Sequence, residues 1–257
     1  MREQVLTLLK GCGGDVSLVY KNLVTGEELM CNENFQHVAA SVIKIPVMVE
    51  AFRQFEAGLC SKDEVIEVND ADRVPICGVL TLMHEGLRPS VLDLIYLMIS
   101  ISDNMATNLL IDQLGLESIQ GTIESLGMVQ TQLNRKLFES RPEHRHKVNS
   151  ISAGEMAQLL ETMYRGELLS PQASEEMLRI LETQQLKNKT ASLLPMSCRM
   201  AHKTGEDDGI SHDVGIVFAK EPFIVCICGN NLPDEAAFNR MTGDVAKLLF
   251  DHCGGIL

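Results

Sequence analysis

Strand-like patterning is confined to the two ends of the chain. VSLVY at residues 16–20 and ELMC at 28–31 have strand character, and Thr25-Gly26 between them is turn chemistry, which predicts a hairpin over 16–31. Near the other end, VGIVFA and FIVCIC are apolar and β-branched and are separated by Lys220-Glu221-Pro222, a second hairpin. Residues 199–203 add a further strand. Beyond Asp234, a suitable N-cap, Phe238, Met241, Val245, Leu248 and Leu249 recur at helical spacing to about His252.

The middle of the chain has a different period. Ser41 opens a helix through IPVMVEAFRQF. Ser90-Val-Leu-Asp93 is a capping-box start for VLDLIYLMIS. Met105 to Leu114 continues as helix and stops at Gly115. Ser152-Ala-Gly-Glu155 opens another, and Ser170-Pro171 caps the next with proline at its first position. A lone two-stranded hairpin is unstable in water, so the strands of the two ends must meet in one sheet. The expected class is therefore α/β, with a discontinuous sheet domain (1–40 and 190–257) and an inserted all-helical domain (41–189). Met128 to Ser150 is the longest stretch without periodicity. It is polar and basic, and long irregular loops are either functional or solvated connections.

Composition narrows the function. Hydrophobic residues make up 45% and charged residues 22%, as in a folded globular protein. The net charge of −13 opposes a polyanionic partner, so neither nucleic acid nor an anionic membrane is expected. No stretch is long and apolar enough to span a bilayer. MREQVLTLLKGCGG lacks a signal-peptide core, which reads as cytoplasmic unless a leader has been trimmed. The eight cysteines are scattered, with no C-x-x-C pair, and read mostly as small buried thiols. His144-x-His146 lacks the companions of a metal site, so no metal and no cofactor are expected. A monomer is the expected state.

Three short segments carry candidate chemistry. In Ser41-Val-Ile-Lys44, positions i and i+3 share a helix face, so the lysine amine can reach the serine hydroxyl. An amine whose charge burial disfavours accepts a proton and activates the serine. Ser102-Asp103-Asn104 lies in a break between two helices. There a serine can relay a proton and an asparagine can both donate to and accept from a substrate amide. Lys203-Thr204-Gly205 ends a strand, whose edge can hold an extended substrate while the glycine permits close approach. Taken singly, each segment also reads as ordinary caps, turns and strand ends. A specified tripeptide arises by chance in roughly 5% of chains this long, and all three in order in well under about 1%.

S-x-x-K, S-D-N and K-T-G together are the motif set of class A β-lactamases and penicillin-binding proteins. With these motifs, and with GEMAQLL after the long loop, the chain resembles the class A-like serine β-lactamase family over nearly its whole length. The resemblance implies a five-stranded antiparallel sheet packed against the helical insertion, with the active site between them. It implies Ser41 as the nucleophile that forms an acyl-enzyme and Lys44 as proton acceptor. Ser102 would pass a proton to the leaving nitrogen, with Lys203 holding Ser102 and attracting a substrate carboxylate. The N–H groups of Ser41 and Glu206 would form an oxyanion hole, and Asn104, Thr204 and Gly205 would line the substrate. The implied partner is a β-lactam or a small acyl amide or ester.

Three departures bear on the chemistry. The family carries a deacylating glutamate two residues after an arginine in the long loop, but here Arg135 is followed at that spacing by Leu137. Glu139 is the nearest candidate base. Lys203-Thr204-Gly205 runs into Glu206-Asp207-Asp208, three acids where a small residue is usual. The strand Ser211–Gly215 has no arginine to clamp a carboxylate. The expected activity is β-lactam opening. The alternatives are an intracellular esterase, amidase or D-Ala-D-Ala-type peptidase, and a β-lactam-binding protein without turnover.

Overall fold

The computed structural model describes residues 1–75, 77–139 and 147–255. In chain order its elements are α1 (Arg2–Lys10), β1 (Asp15–Asn22), β2 (Glu28–Cys31), β3 (His37–Val38), α2 (Lys44–Glu56), α3 (Val91–Ser100), α4 (Asn104–Leu114), α5 (Leu116–Ser125), β4 (Ser150–Ile151), α6 (Ala153–Tyr164), α7 (Pro171–Glu182), β5 (Met200–Asp207), β6 (Ile210–Val217), β7 (Phe223–Asn230) and α8 (Glu235–His252).

Five strands form one antiparallel sheet in the order β2-β1-β7-β6-β5. Its centre is the pairing of β1 with β7, which joins the two chain ends from Asp15↔Asn230 to Asn22↔Phe223. Successive side chains of a strand point to opposite faces. Leu18, Tyr20, Phe223, Val225 and Ile227 pack on one face with Val5 of α1 and Phe238, Val245 and Leu249 of α8. Val19, Ile224, Cys226 and Cys228 face the other way and share a core with α2 to α7. Because both faces are covered, β7 is buried at every position, which is why FIVCIC reads as an unbroken apolar run. The fold is thus α/β with a five-stranded antiparallel sheet between two helical layers.

The predicted caps form. Ser90 and Asp93 make a reciprocal capping box, and Ser152, Ser170 and Asp234 each accept from the N–H three residues on. Four elements, α1, α5, β3 and β4, are additional to the predicted ones. In α1 the buried positions are Val5 and Leu9, a narrow stripe that becomes a face only against α8. The two-residue strands β3 and β4 pair His37 with Ile151 and Val38 with Ser150. That pairing brings the end of the long loop beside the residues that lead into Ser41. One predicted start differs. Residues Ala40–Ile43 form a single 3-10 turn, and the α-helix begins at Lys44. His144 and His146, with much of the basic stretch around them, lie outside the described residues.

Candidate active site

The 3-10 turn sets the first contact. In that geometry side chains at i and i+3 eclipse, so Lys44 stands directly over Ser41. Lys44 Nζ lies 2.9 Å from Ser41 Oγ. It is also 2.8 Å from the Ser102 carbonyl, 3.0 Å from Ser102 Oγ and 2.8 Å from Asn104 Oδ1. The first two motifs therefore converge on one amine. Lys44 is fully buried, as are Ser102 and Asn104 to within a few per cent. Burial holds the Lys44 pKa well below that of a free lysine, and the nearby Lys203 charge lowers it further. A neutral amine has two N–H donors and one lone pair. It can donate to the Ser102 carbonyl and Asn104 Oδ1 and accept from the Ser41 hydroxyl, which is the arrangement of a poised base.

Backbone strain marks the same places. Ala40, immediately before Ser41, has φ 42°, and Ser102 has φ 59°. Non-glycine residues in this region cost about 1–3 kcal/mol each and persist where surrounding structure holds them. At Ser102 the holding group is its neighbour. Asp103 is fully buried; its Oδ1 accepts from Ala106 N and caps α4, while Oδ2 accepts from Val79 N (2.7 Å) and Leu80 N (2.8 Å). One carboxylate thus ties the start of α4 to the loop around residue 78. Gly78 is required there, because a Cβ would lie 2.1 Å from Asp103 Oδ2 at φ 93°.

Edge strand β5 supplies the third motif. Lys203 is fully buried and donates to the Thr204 carbonyl at 2.8 Å. Burial lowers its pKa to about 7. Gly205 lies against the Ser41 amide: a Cβ on it would come within 3.2 Å of Ser41 N and of Ala40 Cβ. Glycine at this position lets the strand pass close to the serine.

A cavity of about 310 Å³ opens onto Ser41. Asn104, Glu206 and Asp207 border it on the motif side, and Arg135, Leu137 and Phe138 on the loop side. Leu137 is fixed there by Asn108, whose Oδ1 accepts from Leu137 N and whose Nδ2 donates to the Leu137 carbonyl, both at 2.9 Å. Glu139 borders a neighbouring cavity of about 670 Å³, beside Asp72, Asn108 and Asp112. Arg135, Lys136, Leu137 and Phe138 border both cavities, so this stretch of the loop runs between them.

Two features were absent from the sequence reading. Cys77 is exposed, lines the Ser41 cavity and accepts from Asn104 N through its carbonyl, which corrects the expectation of a buried thiol; Cys226, Cys228 and Cys253 are buried as expected. Its neighbours Pro75, Ile76 and Gly78 gave no sign of this. Behind β5, Lys189 is fully buried and donates to the Gly205 carbonyl at 2.7 Å, with its Nζ 3.1 Å from Glu206 Oε1. His202 Nδ1 pairs with Asp213 Oδ1 at 2.8 Å on the same side. Lys189 stands in a polar tract, KNKT, that resembles surface sequence. Among the described residues, no group of three or more His, Cys, Asp or Glu is arranged for a metal ion, and no helix is long and apolar enough to cross a membrane.

The half-buried Ser41 and the buried Lys44 pair between a helical layer and an antiparallel edge strand, a geometry in which an amine can activate a serine hydroxyl. The sequence matches the beta-lactamase enzyme family over residues 1–253, and the chain belongs to that family. A beta-lactamase of Rhodobacter capsulatus is 29% identical over 179 residues, which covers 67% of this chain; the match spans 59% of that protein's length. The crystal structure of a beta-lactamase from Sphaerobacter thermophilus superposes with a TM-score of 0.90 at 32% identity, covering 98% of this chain and 96% of that one. The structure of PBP-A shares the fold, with a TM-score of 0.87 at 24% identity, covering 98% and 94%.

Proposed function

We propose that the protein opens β-lactam rings through an acyl-enzyme on Ser41. The observation that carries this reading is the buried Lys44 amine, 2.9 Å from the Ser41 hydroxyl and depressed in pKa by burial. Lys44 takes the Ser41 proton as Oγ bonds to the lactam carbonyl carbon. The oxyanion is received by the N–H groups of Ser41 and Glu206, at the place where Gly205 brings β5 against the serine. When the C–N bond breaks, Ser102 gives its proton to the nitrogen and recovers one from Lys44, 3.0 Å away. Asn104 and Thr204 orient the substrate, and Lys203, which donates to the Thr204 carbonyl rather than to Ser102, attracts an anion while protonated.

Release of the acyl group needs a base-activated water. Glu139 is the acid nearest in sequence to that task, but the residue at the family's spacing after Arg135 is Leu137, an apolar side chain that borders the Ser41 cavity. This favours a second reading of the same site. In it the acyl-enzyme forms readily and hydrolyses slowly, as in a penicillin-binding protein, with an ester, amide or D-Ala-D-Ala-type peptide as the natural acyl donor. Nitrocefin turnover by wild type, Ser41→Ala and Glu139→Gln tests both. Loss of turnover in Ser41→Ala is expected. Turnover unchanged in that variant contradicts the mechanism. A loss in Glu139→Gln favours the first reading, and an unchanged slow rate favours the second.

A further inference from the structure

We propose that Glu206 occupies, with its own carboxylate, the place where Lys189 would hold a substrate anion, so that the site selects acyl donors bearing a cationic rather than an anionic group at its β5 end. The inference rests on the reading of Ser41 as the acylated residue and concerns which donors reach it.

A lysine ammonium has three donors. Those of Lys189 meet three acceptors: the Gly205 carbonyl (2.7 Å), the His212 carbonyl (3.2 Å) and Glu206 Oε1 (3.1 Å). Two of these are backbone groups of β5 and β6 and are fixed by the sheet. The third is a side chain that is about half exposed and borders the Ser41 cavity. Lys189 is itself fully buried, and its third donor is already taken by Glu206, which borders the cavity. The Lys189 pKa is lowered by burial, against the opposing pull of Glu206 and Asp213.

The surrounding charge has a consistent sign. Asp207 also borders the cavity, and Asp208 follows it, both exposed. With Glu206 matched by Lys189, Asp207 leaves the β5 end negative. The positive groups of the cavity, Arg135 and Lys136, lie on the opposite, loop side. A donor with a carboxylate at the β5 end meets the Asp207 charge and finds Lys189 already paired, which leaves only the buried Lys203, its pKa lowered to about 7. A donor with an ammonium group there, as in an amine-bearing peptide or amino-acyl ester, meets complementary charge.

The test is acylation of Ser41 by three matched esters that differ only in a terminal group: neutral, ammonium or carboxylate. Wild type is expected to prefer ammonium over carboxylate by about tenfold in kcat/KM, with the ratio falling as salt is added. Glu206→Gln should shrink the ratio severalfold, and Glu206→Ala should shrink it further by opening Lys189 to the carboxylate. The ratio is taken within each variant, so a general loss of activity cancels. A wild-type ratio near one, or a ratio unmoved in both variants, overturns the inference while leaving the serine mechanism intact. No Ser41-dependent acylation by any of the three overturns both.

Discussion

In the proposed mechanism Ser41 and Lys44 act through a spacing of three and the burial of the amine. The 3-10 turn eclipses the two side chains, and full burial of Lys44 strips its ammonium of hydration. Because its pKa is lowered, the amine sheds its proton at a lower pH than a free lysine and regains it as the pH falls, so acylation should decline towards acid. Lys44→Ala should reduce the acylation rate by about 10²–10⁴-fold, measured with nitrocefin under single-turnover conditions. Cys77 gives a second residue-scale expectation. As the exposed thiol on the serine's cavity, it should be alkylated by iodoacetamide ahead of the buried cysteines, and acylation should slow in step. Peptide mapping beside the activity assay checks this; full acylation of a protein labelled at Cys77 would count against it. The residues of the three motifs were legible because their identity is the signal. Lys189 was not, since a buried lysine held by two distant carbonyls and a carboxylate has no local pattern.

The elements act by bringing distant segments to one amine. Strand β5 needs Gly205 to pass Ser41, and α4 begins on an aspartate that also grips the loop at residues 79 and 80. Asp103→Ala removes a helix cap and leaves buried N–H groups without their acceptor. It should cost about 2–4 kcal/mol and displace Ser102 and Asn104 from Lys44. Denaturant unfolding reads the first effect, and a fall in acylation rate under folded conditions reads the second; an unchanged midpoint would contradict the assignment. The long helices and the central strands were legible from period and caps, as Ser90, Ser152 and Ser170 show. The two-residue strands β3 and β4 were not, because two residues carry no period and their pairing is set by the fold around them. The direction of the long loop was likewise settled by contact, with Asn108 holding the backbone of Leu137.

At the scale of the molecule, the sheet closes the chain on itself through β1 and β7, and the site sits where its edge strand meets the inserted helices. Two buried lysines there work against stability. The folded-state pKa of Lys203 is lowered to about 7 from the 10.5 of a free lysine. Between those values the unfolded chain binds a proton that the folded chain does not, so stability rises with pH across that window. Lys44 contributes in the same direction. Lys203→Met should therefore raise Tm at pH 7, by about 2–4 °C for each kcal/mol relieved, and flatten the rise of stability with pH while acylation falls. Calorimetry at pH 7 and pH 9 checks this, and a lowered Tm at pH 7 would contradict it. The α/β class and the meeting of the chain ends followed from where the strands lie in the sequence. The sharing of one core between the sheet and the helices did not, because it depends on which strand face each helix covers.

The most direct measurement is intact-mass spectrometry of the protein over time after benzylpenicillin is added. The account predicts a gain of one penicillin mass, located by peptide mapping on Ser41 and absent from Ser41→Ala, with its lifetime reporting how well the loop supports hydrolysis. Penicillin consumed at the same rate by Ser41→Ala, with no adduct on the wild type at any time, would contradict it.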